Sequence, residues 1–102
     1  MNRSEPFTDI HCHLLPGLDD GASDLNKALA MAEIALADGI EAIVATPHQL
    51  GNHALNSGET IREAAVRFQG ELDRRGLPLR VLPGADVRIE PGLVEKIRSG
   101  EV

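Results

Sequence analysis

The stretch DIHCHLLPGLDDG, residues 9–21, sets Asp9, His11 and His13 at alternate positions and follows them with the pair Asp19-Asp20 in a glycine-rich turn. Side chains of a strand alternate between faces. A strand here sends Asp9, His11 and His13 to one side and Thr8, Ile10, Cys12 and Leu14 to the other. At a rise of about 3.3 Å per residue, the two histidine Cα atoms stand roughly 6.5 Å apart, which lets two imidazoles share one ion. Burying such groups without partners costs roughly 1–3 kcal/mol each, so partners are expected. The Asp19-Asp20 pair offers carboxylates, which together with imidazoles suit Zn, Mn or Fe. His48 in ATPH and Asp86 in PGAD add a further imidazole and carboxylate. Each feature alone has a plain explanation: H-x-H pairs are common, DDG makes a solvated turn, and His48 is a loop residue. Their convergence at equivalent places along the chain argues for a metal site. Asp9 either orients a histidine ligand from behind or stays with the backbone.

Other chemistries fit less well. A cysteine phosphatase loop needs an arginine six residues after its cysteine, and Leu18 stands there. Cys12, on the side away from the histidines, reads as a small buried apolar residue. There is no G-x-x-x-x-G-K-[ST] loop, no G-x-G-x-x-G and no G-x-S-x-G elbow. His53 in GNHALNSG reads as a solvated loop histidine, and Arg80 and Arg88 as solvated strand residues.

The elements that must position these groups follow from periodicity. Residues 7–14 read as a strand. Leu25, Ala28, Leu29, Ala32 and Leu36 fall at helical spacing, with Ser23 or Asp24 as N-cap and Gly39 just past the end. The apolar run at 41–47, ended by Pro47, suits a buried parallel strand, and a loop spans 48–57. Ile61, Ala64, Ala65, Phe68 and Leu72 share one face of a second helix, with Arg74 and Arg75 in its last turn and Gly76 beyond. A third strand at 79–82, a Pro-Gly break, a short extension and a helical turn within 92–100 complete the chain. The order β-α-β-α-β implies an α/β fold with a parallel sheet and right-handed crossovers, either doubly wound or part of a βα barrel. Both place ligands at the carboxyl ends of strands, where His11, His13, His48 and Asp86 fall. Three strands cannot close a barrel, and the open sheet edge invites self-association.

The 102 residues allow one domain, 7–102, with 1–6 as a flexible tail. Aromatic residues are only 2%, so the core is built from Ala, Leu, Ile and Val. A net charge of −6, without clustered Lys and Arg, argues against a nucleic-acid partner. No apolar run is long enough for a membrane span or signal peptide, and the single cysteine fits a reducing compartment, so a cytoplasmic protein is expected.

DIHCHLLPGLDDGA, ATPH and LPGADVRI, in this order and separated by two amphipathic helices, closely resemble the N-terminal part of bacterial PHP-domain (polymerase and histidinol phosphatase) proteins. The branch they resemble is the manganese-dependent tyrosine-protein phosphatases of capsular and exopolysaccharide loci. The resemblance implies a distorted (β/α)7 barrel carrying up to three divalent ions, with Mn2+ as the expected metal. It further implies hydrolysis of phosphotyrosine on an autophosphorylating tyrosine kinase. The family's ligands fall on His11, His13, Asp20 and His48, and its acidic bridging ligand on Asp86, where this chain has Asp in place of Glu. The shorter side chain withdraws the carboxylate by about 1.5 Å against ligand tolerances near 0.2 Å. Gln49 is a second departure, standing where many members have His.

The family's later ligands, a glutamate, a histidine and a D-x-H, have no counterpart here, so the expectation is a truncated form with an incomplete shell and little activity. No residue of the chain is a convincing general acid for the leaving group. Two alternatives stand beside this: another metal phosphoesterase of the fold, such as a histidinol-phosphate phosphatase or polymerase-associated nuclease, and a non-catalytic remnant that binds metal or a partner.

Overall fold

A computed structural model of the chain describes residues 7–18, 21–50, 53, 56–87 and 89–102. The expected tail at 1–6, the Asp19-Asp20 pair and Arg88 lie outside the described residues. The elements are β1 (Phe7–Cys12), α1 (Leu25–Ala37), β2 (Ile40–Ala45), β3 (His48–Gln49), α2 (Gly58–Arg74), β4 (Arg80–Pro83), β5 (Asp86–Val87) and α3 (Leu93–Arg98). β1, β2 and β4 form a parallel sheet in that order, and β3 and β5 form a second parallel pair.

The expected β-α-β-α-β order is present, with one addition. β5 is the short extension after the Pro83-Gly84 break, but its partner β3 lies where the sequence suggested only loop. Pro47 has no N–H and so interrupts the ladder of β2. Its carbonyl nevertheless accepts the Asp86 N–H at 2.9 Å, and pairing resumes in register at His48 and Asp86.

Helix ends follow local chemistry. Asp24 caps α1 by accepting the Lys27 N–H at 2.9 Å, and Ser57 caps α2 by accepting the Thr60 N–H at 3.1 Å. Gly39 and Gly76, just past the two helices, take left-handed φ values of 91° and 68°.

The predicted apolar face of α2, Ile61, Ala64, Ala65, Phe68 and Leu72, is buried throughout. With Ala28, Leu29, Ala32 and Ala35 of α1 it joins Ile43, Ala45 and Val81 in a single core. Leu25 and Leu36 pack only at its rim. Ile43 and Ala45 share one face of β2, so both helices cover the same side of the sheet. Among the described residues no helix is long and apolar enough to cross a membrane.

β1 departs from the alternation expected of it. Asp9 lies opposite Ile43 and Cys12 opposite Ala45, so three residues of β1 advance against two of β2. This bulge changes the parity of the strand. Asp9 and Cys12 both align with core-side residues, so Asp9 does not share a face with His11 and His13 as simple alternation requires. β1 is also an outer strand of the three-stranded sheet and leaves Ile10 76% exposed. Ile10→Lys is expected to reduce concentration-dependent association, read by sedimentation velocity, because a charge on an outer strand disfavours edge pairing.

Candidate metal centre

The ligand-type residues are brought together by the carboxyl ends of three parallel strands. His11 is the second-last residue of β1 and His13 lies just past its end, while His48 and Asp86 open β3 and β5 and are register partners. Asp86 Oδ2 is the meeting point: His11 Nε2 and His13 Nε2 are each 3.9 Å away, and His48 Nδ1 is 3.4 Å away. At metal–ligand bonds near 2.1 Å, two donors on one ion stand roughly 3 to 4.2 Å apart. All three separations fall in that window, so Asp86 Oδ2 stands at a distance from each imidazole that suits ligands of a divalent ion. Ligand atoms of His11, His13 and Asp86 lie mutually within 4.8 Å. His48 meets the shared carboxylate but stands outside that mutual set. The Asp86 carboxylate therefore reaches the imidazoles despite lacking the methylene of glutamate.

The rings form a row. His11 and His13 meet edge to face at 5.2 Å between centroids, and His13 stacks on His48 at 4.5 Å. His53, expected to be a solvated loop residue, stacks on His48 at 5.1 Å. Leu50 adopts φ 69°, and its carbonyl accepts the His53 N–H at 2.9 Å. Nothing in the pattern GNHALNSG signals this return, because it depends on loop geometry and not on residue spacing.

Three supporting residues also escaped the sequence reading. Thr46 is 6% exposed; its hydroxyl accepts the Cys12 N–H at 3.0 Å and lies 3.3 Å from His11 Nδ1. Gly21 approaches His13 so closely that a Cβ there would overlap the His13 carbonyl oxygen and Cβ. Asn56, buried in the same loop as His53, donates from Nδ2 to the carbonyls of Leu18 at 2.7 Å and His48 at 2.9 Å. It thereby ties the chain on the N-terminal side of the Asp19-Asp20 pair to a ligand-type histidine. Asn56→Ala removes a buried donor shared by two carbonyls and is expected to lower stability by about 1–3 kcal/mol, read from denaturant unfolding. Asp9 accepts the backbone N–H of His11 at 2.9 Å, a local bond that suits the bulge. Gln49 is 1% exposed and donates to the Glu101 carbonyl at 3.0 Å.

Cys12 packs against the core, consistent with a small apolar role. A groove of about 560 Å³, lined by Leu18, Leu25, Phe68 and Arg74 among others, contains none of the ligand-type residues. Its mostly apolar walls offer no chemistry comparable to the histidine cluster.

Residues 7–102 match the family described as Capsular polysaccharide synthesis, CpsB/CapC. The tyrosine-protein phosphatase YwqE of Bacillus subtilis (strain 168) is 44% identical over 81 residues, which are 79% of this chain and 32% of YwqE. CapC of Staphylococcus aureus is 30% identical over 96 residues, 94% of this chain and 38% of CapC. A structure from the crystallographic work on YwqE from Bacillus subtilis and CpsB from Streptococcus pneumoniae, described as unique metal-dependent tyrosine phosphatases, superposes with a TM-score of 0.89. It shares 38% identity and is matched over 94% of this chain and 39% of its own. The chain thus spans 32% to 39% of the length of these relatives.

Proposed function

Because the chain belongs to the CpsB/CapC family of capsular polysaccharide synthesis, we propose that it supplies part of the metal centre of a metal-dependent protein-tyrosine phosphatase. The observation that carries this is the convergence of three imidazoles on one oxygen of Asp86. His11, His13 and Asp86 would hold a divalent ion, and His48, 3.4 Å from the same carboxylate, would add a further imidazole ligand. Asp20 is proposed as a further ligand, Asp9 as a support for the strand end that carries His11, and Mn2+ as the physiological metal, with up to three ions in a complete site. The sequential strand order, with both helices on one face, supports a PHP-type βα barrel to which further strands add at the edges of β1 and β4.

When bound, such ions supply Lewis-acid activation of the phosphoryl group and of a water molecule. The chain's own part is placement and charge. Neutral imidazoles donate lone pairs, and Asp86 contributes the negative charge that lets cations sit close together. No covalent phosphoenzyme is required, in keeping with Cys12 lying against the core. The proposed substrate is a phosphotyrosine protein, an autophosphorylating tyrosine kinase of polysaccharide export, in the cytoplasm.

The test is phosphate release from a phosphotyrosine peptide by the protein at its full encoded length. Release that needs added Mn2+ and stops with a chelator is expected. Preferential hydrolysis of histidinol phosphate would instead favour the related phosphoesterase reading. Absence of bound metal on elemental analysis would leave a non-catalytic partner-binding module.

A further inference from the structure

We propose that Thr46 is a positioning residue that fixes the tautomer of His11, holding its Nδ1 proton so that the Nε2 lone pair faces Asp86. A threonine hydroxyl has one proton to give and two lone pairs to receive. Here the hydroxyl receives the Cys12 N–H at 3.0 Å, and the Cys12 carbonyl lies 3.4 Å away as an acceptor for its proton. One lone pair remains, and His11 Nδ1 lies 3.3 Å from it. An Nδ1–H donating to that lone pair leaves the hydroxyl proton for the carbonyl, so all three contacts are satisfied at once.

On the other edge of the ring, His11 Nε2 is 3.9 Å from Asp86 Oδ2, too far for an Nε2–H hydrogen bond to compete. Thr46 is itself held rigidly, since it is 6% exposed and its own N–H bonds the Cys12 carbonyl at 2.8 Å. One side chain therefore joins the ends of β1 and β2 and orients an imidazole at their mouth. A histidine that binds a metal through one nitrogen commonly donates its other N–H to such a partner, and loss of the partner costs roughly 10–100-fold in metal affinity.

The inference rests on the metal-centre reading for its purpose, but its first measurement does not need metal. Long-range proton–nitrogen correlation spectra of the metal-free protein, recorded where His11 is neutral, should show the Nδ1–H form. Thr46→Val, which keeps the shape and removes the hydroxyl, should shift His11 toward Nε2–H, and Thr46→Ser should keep the original form. Manganese titration should then show Thr46→Val weaker by roughly 10–100-fold, with Thr46→Ser close to the parent. If Thr46→Val does not fold, the tautomer in the parent and in Thr46→Ser still decides the matter. An Nε2–H His11 in the parent protein overturns the proposal, as does an unchanged tautomer in a folded Thr46→Val. The expected tautomer shift without any manganese uptake would support the orientation by Thr46 and overturn the metal-centre reading alone.

Discussion

Asp86→Asn should lower manganese affinity by more than the roughly 10–100-fold typical of removing a residue behind a metal ligand, because Asp86 is the group on which the proposed ligands converge. Three imidazole nitrogens lie 3.4 to 3.9 Å from its Oδ2, and the substitution keeps that geometry while removing the charge. Imidazole ligands would bring no charge to offset that of a divalent ion, whereas the Asp86 carboxylate would. The effect on catalysis should be larger still. Metal assistance contributes several kcal/mol of transition-state stabilisation, so phosphotyrosine hydrolysis should fall by about a thousandfold or more. Calorimetric manganese titration and a phosphotyrosine peptide assay on the full-length protein read the two effects separately. Asp86→Glu keeps the charge and should fall between parent and Asp86→Asn. Parental affinity in Asp86→Asn would remove the shared-carboxylate arrangement from the proposal.

What the sequence could reveal of this arrangement depended on whether the responsible interaction was local. The buried face of α2 was legible because Ile61, Ala64, Ala65, Phe68 and Leu72 repeat at the helical period, and each is buried. The cap Asp24 acts within three residues, so local chemistry defines the start of α1. His48 and Asp86 could be placed together because parallel strands deliver their carboxyl ends to one side. The bulge in β1 could not be read, since it exists only relative to the register of β2. β3 is two residues long and leaves no period at all. Thr46 and Asn56 act on residues distant in sequence, at Cys12 and Leu18, so nothing in their immediate neighbours marks them. The Asp19-Asp20 pair, prominent in the sequence, lies outside the described residues.

Gly21→Ala should be damaging for a reason that composition conceals. A Cβ at position 21 would overlap the carbonyl oxygen and Cβ of His13 and come within 3.0 Å of its carbonyl carbon. Two of these are main-chain atoms, which cannot swing aside as the tip of a long side chain can. The surrounding bonds restrict relaxation further: Ala22 N–H donates to the His13 carbonyl at 3.2 Å, and Gly17 N–H donates to the Ala22 carbonyl at 2.9 Å. Ala22 is also buried, at 3% exposure, so the turn cannot lift away without opening the core. Overpacking of this kind costs about 1–3 kcal/mol, or roughly 5–20 °C in Tm for a domain of this size. Because the displaced residue is His13, manganese affinity should also fall when measured well below the lowered Tm, which separates a moved ligand from general loss of stability. Gly70→Ala supplies the contrast. Its added Cβ meets nothing within 4 Å on α2, so it should stabilise by about 0.5–1 kcal/mol through helix propensity and leave metal affinity unchanged. If Gly21→Ala instead behaved like Gly70→Ala, the backbone at Gly21 would not press against His13, and the glycine would have no part in placing that ligand.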